Sequence, residues 1–148
     1  MTTKQTPAKR ATRTVGAQAS GGGAIEPLRR HGHDALARMC LSLPETDAYS
    51  ATGQHTSFRV RGKSFLYYLD DHHGDGRIAI NCKTGRLEQA ELVDADPERY
   101  FLPPYMTHHG WVGLRLDVGT VDWDEVKDLV RQSYRLIAPK RLAATLDA

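Results

Sequence analysis

The residues with the plainest chemical potential are cations at a spacing of two. Arg59, Arg61 and Lys63 alternate with Phe58, Val60 and Gly62 where the pattern reads as a half-buried strand entering a turn. Side chains at i and i+2 of a strand share a face. Arginine forks and a lysine point charge on one face suit phosphate groups. Lys83 and Arg86 flank the end of a later strand, and Trp111 and Arg115 fall on one face of the last strand. An aromatic ring among cations on a sheet face suits base stacking and backbone contact. Arg59, Arg61, Lys63, Lys83, Arg86, Trp111 and Arg115 therefore form the expected nucleic-acid-binding set. The plain alternative is a solvated face with Trp111 capping the core.

Two further stretches hold side chains that ligate metals: Asp70-Asp71-His72-His73-Gly74-Asp75 and His108-His109-Gly110. A built metal site needs ligands held at fixed geometry by outer-shell partners. Gly-rich turn chemistry makes both stretches solvated loops instead, so no metal is expected. Four histidines would converge if the two loops met in space. No nucleophile elbow, HExxH, CxxC or phosphate loop occurs. No catalytic residue or cofactor is assigned, and the chain reads as a binding protein rather than an enzyme. A small-molecule-binding accessory or resistance-type protein, with a pocket beside Trp111, Tyr105 and Tyr67, is the alternative function.

The elements that must position these groups follow from periodicity. Leu36, Met39, Cys40 and Leu43 trace one face of a first helix, with Asp34 at or near its start and Pro44 at its end. Strands are expected near 47–52, at 58–60, 64–69 and 77–83, with Arg61-Gly62-Lys63 as a tight hairpin turn. A short helix follows Thr84 and breaks at Asp94-Ala95-Asp96-Pro97. Tyr100–Tyr105 is extended, because Pro103 and Pro104 bar helix and central-strand pairing. Trp111–Asp117 is the last strand. Asp122 and Glu125 are spaced as a capping box before a closing helix, whose buried face runs through Trp123, Val126, Val130, Ser133 and Ile137. The order is that of an α+β fold, a small antiparallel sheet flanked by N- and C-terminal helices.

The charge balance divides along the chain. Residues 1–24 carry Lys4, Lys9, Arg10 and Arg13 and no acid, and end in a Gly-rich run. They read as a disordered basic tail, with 25–148 as the folded domain. That domain holds 16 basic and 18 acidic side chains, so any anion-binding role there requires a local patch. Cys40 and Cys82 sit in apolar contexts and read as reduced, inert thiols of a cytoplasmic protein. No stretch is long and apolar enough for a membrane span, and the N-terminus has no secretory h-region.

Several motifs in order carry a family resemblance. They are Cys40-Leu41-Ser42-Leu43-Pro44-Glu45, then Ser57-Phe58-Arg59-Val60-Arg61-Gly62-Lys63-Ser64-Phe65, the strand ending at Lys83, Phe101-Leu102-Pro103-Pro104-Tyr105, Gly110-Trp111-Val112-Gly113-Leu114-Arg115-Leu116-Asp117, and Ser133-Tyr134-Arg135-Leu136 with Ala138-Pro139-Lys140-Arg141-Leu142. From about Asp34 to Leu142 the chain resembles the MmcQ/YjbR family. The resemblance implies a CyaY-like fold and DNA binding through a double-wing arrangement of β-hairpins. By position it points to Lys63, Lys83 and Trp111. Gln54 stands where many relatives place an acid, so acid-dependent chemistry is not expected. The expected partner is DNA and the expected state a monomer.

Overall fold

The computed structural model describes residues 28–50, 55–71 and 74–147. The tail expected at 1–24, together with Gln54, His72 and His73, lies outside the described residues. A π-helical turn, Leu28–Gly32, runs into helix α1, His33–Leu41. Strands β1 (Thr46–Tyr49), β2 (Thr56–Val60), β3 (Lys63–Asp70) and β4 (Ile78–Lys83) follow as a meander. Then come helix α2 (Arg86–Ala95), β5 (Tyr100–Phe101), a 3-10 turn (Thr107–His109) and β6 (Trp111–Arg115). Helices α3 (Trp123–Ile137) and α4 (Lys140–Ala144) close the chain.

The sheet has six strands in the order β1-β2-β3-β4-β6-β5, every pairing antiparallel. The register makes each row of cross-strand partners one face. Phe58, Leu66, Cys82 and Val112 form one buried row, and Tyr68, Ile80, Leu114 and Tyr100 another. Leu36 and Cys40 of α1 and Val126, Leu129, Val130 and Tyr134 of α3 pack in the same core. A bulge opposite Phe58/Arg59 inserts Phe65 as an extra residue. It lets Phe65 reach Tyr134 edge-on while Leu66 keeps its place opposite Phe58.

Arg61 and Gly62 form the two-residue β2–β3 turn, both with positive φ (51° and 83°). That pattern is the primed hairpin turn whose twist matches the strands. Ser133 is wholly buried and joins α3 to the sheet. Its Oγ accepts from the Lys83 N–H (2.8 Å) and donates to the Phe65 carbonyl (2.5 Å).

One local expectation needs correction. Asp122 does cap α3, accepting from the Asp124 and Glu125 N–H groups. The Glu125 carboxylate does not complete a reciprocal box. It accepts from both ends of the Arg99 guanidinium (2.8 and 3.2 Å) and from the Tyr100 hydroxyl (2.8 Å). A paired fork plus a buried phenol outcompetes one exposed backbone N–H. The start of the Tyr100–Tyr105 segment is extended, as expected, and forms a short edge strand. Tyr100 and Phe101 pair with β6 before the prolines end it.

Candidate nucleic-acid interface

The cations singled out by spacing are not on one face. Val60 pairs with Lys63 and Arg59 with Ser64, so Lys63 lies on the side of Val60 and opposite to Arg59. Arg61 occupies the turn itself. The reason is turn length: a two-residue turn reverses the chain at Arg61-Gly62, making Lys63 the first residue of β3 rather than part of the turn.

Several of these cations are also tied to acids. Arg59 makes a forked pair with Asp47 on β1 (2.9 and 3.2 Å) and lies over the Tyr49 ring. The bond to Asp47 raises the Arg59 pKa above its ordinary value. Arg115 forks onto Asp117 (3.0 and 3.2 Å), which raises its pKa likewise. Arg61 lies 3.6 Å from Glu45, a carboxylate it shares with Arg141 at 3.7 Å. Among the described residues Lys63, Lys83 and Arg86 have no carboxylate within ion-pair reach.

The strands nevertheless bring free and half-paired cations to one end of the sheet. Lys63 opens β3, Lys83 ends β4, and Leu66 lies opposite Cys82, so these two lysines are on the same edge. Arg86 opens α2 just beyond, where Thr84 and Gly85 N–H groups donate to the Gly110 carbonyl. Arg61 and Arg141 meet around Glu45 there, with Lys140 beside Arg141. Lys140 and Arg141 fall outside the expected set, since they follow a proline after the last long helix and no strand period relates them to the hairpin.

The opposite end is acidic and internally paired. Asp70 lies opposite Ile78, and Asp71, Asp75 and Asp117 cluster near this edge. Arg99 sits between Asp96 and Glu125, at 2.6 and 2.8 Å. Burial works against its charge, but the bonds to Glu125 and Asp96 outweigh that and raise its pKa. Tyr100 is raised too, by burial first and then by its bond to Glu125.

The sheet face away from the helices carries a row across all six strands: Tyr49, Ser57, Tyr67, Asn81, Gly113 and Phe101. The Phe101 ring lies directly over Gly113, in space that any Cβ there would overlap. Arg77 lies over the Phe101 ring, 5.5 Å from its centroid. Tyr67 contacts Trp111 at 5.6 Å between ring centroids. Trp111 is only 7% exposed, so it is a wall of this face rather than a free platform. Gln89 holds the adjoining loop, its Nε2 donating to the Thr107 and Trp111 carbonyls (2.8 and 2.6 Å). Asn81 is 5% exposed, and its Oδ1 is buried with no hydrogen-bond partner among the described residues. Its Nδ2 reaches Met106 Sδ at 3.8 Å. Asn81, the one uncharged polar residue in the run Ile78–Lys83, is the signal that periodicity alone passes over.

Tyr105 is 90% exposed, while Tyr67 and Trp111 pack on each other. A groove of about 720 Å³ lies on the helix side, between Leu28, Gly32 and Ala35 and the segment Leu116–Trp123. Asp71 and Gly74 flank the start of β4, whereas His108 and His109 precede Trp111, which pairs with Lys83 at its end; the expected meeting of four histidines turns on His72 and His73, which lie outside the described residues. The described residues hold no metal-ligand cluster. No helix among them is long and apolar enough to cross a membrane. Cys40 and Cys82 are buried thiols, and burial pushes Cys82 up to about 12 and Cys40 higher still.

The YjbR family model matches residues 41–136. A crystal structure of the Deinococcus radiodurans protein DR2400, a DUF419 domain, superposes with a TM-score of 0.60 at 22% identity, covering 78% of this chain and 87% of that one. That likeness concerns the fold. No curated protein matches the chain.

Proposed function

The chain belongs to the YjbR family, and on that premise we propose that it binds DNA, gripping the phosphate backbone at the Lys83 end of its sheet. The observation that carries this reading is the gathering of Arg61, Lys63, Lys83, Arg86, Lys140 and Arg141 at one edge, with Glu45 shared between two of them. A domain with more acids than bases has no overall field to attract DNA, but a local patch of available cations does. Arg59 and Arg115 serve as scaffold: each spends its guanidinium on a neighbouring acid.

The test is duplex DNA binding by the full chain across a salt series. Affinity should fall steeply as salt rises, through release of counterions from the phosphates, and the slope should shrink by about one for each contacting cation removed. A second chain with Lys4, Lys9, Arg10 and Arg13 changed to Gln separates the tail from the domain. Loss of all binding in that chain assigns the activity to the tail. Affinity indifferent to salt, or none at low salt, ends the DNA reading.

The helix-side groove favours a second reading, a small apolar ligand. Leu28, Ala35, Leu116, Val121 and Trp123 line it, with His31, Arg38 and Asp117 as its polar groups. In a Trp111→Phe chain, Trp123 emission would report such a ligand directly.

A further inference from the structure

We infer that the sheet face away from α1 and α3 takes unpaired DNA bases, with Asn81 as a base-reading acceptor and Met106 as its resting cover. This rests on the DNA reading above and adds the state of the DNA: single-stranded. Three observations meet at this face. Tyr67 and Phe101 present half-buried rings in the same cross-strand row, with Asn81 between them. Partly exposed rings on a sheet face are sequence-tolerant stacking surfaces for bases. Lys83 lies on this face beside Trp111, and Arg77 flanks Phe101, so cations stand where a backbone would run between the stacked bases.

The third observation is the orphan acceptor. A buried amide oxygen without a partner is costly, and native structures pair nearly all such groups. Asn81 Oδ1 has none among the described residues, and the other end of the amide meets only a thioether at 3.8 Å. Met106 belongs to the loop between the Pro103-Pro104 pair and the 3-10 turn, and its side chain is flexible and unbranched. A base that displaces it exchanges a weak sulfur contact for a hydrogen bond. The exocyclic amines of cytosine and adenine project donors toward such an acceptor. Thymine offers carbonyl oxygen there, with its single N–H set back between two of them.

The experiment uses the full chain with Trp123→Phe, so that Trp111, in contact with Tyr67, is the sole indole. Emission is followed on adding dC, dA and dT oligomers and a hairpin duplex at one salt concentration. Single strands should quench Trp111, with dC and dA binding about fivefold tighter than dT, the scale of one hydrogen bond. Asn81→Leu should abolish that preference, and Tyr67→Leu should weaken every single strand about tenfold. Met106→Ala should tighten single-strand binding severalfold, a gain that a merely structural role would not produce. Duplex binding with no quenching by single strands overturns this inference and leaves the DNA reading standing. No binding of either form removes both. An unchanged base preference in Asn81→Leu rules out Asn81 as the reader, and weaker single-strand binding in Met106→Ala rules out Met106 as the cover.

Discussion

The two ends of the sheet are built from the same strands and carry opposite chemistry. At the Asp70 end Arg99 is matched by Asp96 and Glu125, and Arg115 by Asp117. At the Lys83 end Lys63, Lys83 and Arg86 stand without acids in reach among the described residues, and Arg61 and Arg141 share Glu45. The near-neutral balance of the domain is therefore a sum over two unlike halves. One end uses charge to hold β5 to α3, and the other leaves charge available to a partner. Net charge reports neither, because it discards position.

The contrast can be broken most sharply at the Lys83 end. Changing Lys63, Lys83 and Arg86 together to Glu should lower duplex DNA affinity at least about hundredfold at low salt, measured by anisotropy, with the melting temperature little changed. Glu125→Ala should act the opposite way. It strands Arg99 and the Tyr100 hydroxyl and should cost about 2.5 kcal/mol in urea unfolding, reduced from the fully buried case by partial exposure, while the salt slope of binding stays the same. Ser133→Ala removes a wholly buried link from the Lys83 N–H and the Phe65 carbonyl and should cost about 2 kcal/mol.

A smaller effect belongs to the buried thiols. Their ordinary value is 9.0, and burial raises both in the folded state, Cys82 to about 12. Below pH 9 the thiol is neutral in both states and its contribution is fully present. Above pH 9 the unfolded chain ionises first and stability is lost, by about 1 kcal/mol per thiol at pH 10. Urea midpoints at pH 8 and pH 10 measure this, and Cys82→Ala should show a shallower decline. Smallest of all, Arg59→Gln or Arg115→Gln should change DNA affinity less than about twofold, since each guanidinium is already spent on its acid. A large loss in either would mean that the division between paired and available cations is drawn in the wrong place.

Much of this molecule is legible from local pattern. Alternation of Ile78, Ile80 and Cys82, and of Val112, Leu114 and Leu116, marks the buried rows because strand side chains alternate by geometry. Asp122 announces its cap because the orphan N–H groups of a helix start must be met within three residues. The family motifs fall in order for the same reason: they are the turns, strand ends and core positions that the fold needs. What local pattern misplaces is the facing of Lys63, because the hairpin turn is one residue shorter than Arg61-Gly62-Lys63 suggests and each residue of register reverses a face.

By itself, then, the sequence determined the element order, the core rows and a set of candidate cations. Tertiary structure alone decided which of those cations remain available. Asp47 neutralises Arg59 from a neighbouring strand, and Glu45 draws Arg61 and Arg141 together across most of the chain's length. It also decided that Asn81 meets the Met106 thioether while its Oδ1 has no hydrogen-bond partner among the described residues. Pairing of charges and satisfaction of buried polar atoms are contacts between residues far apart in sequence, and no period along the chain records them.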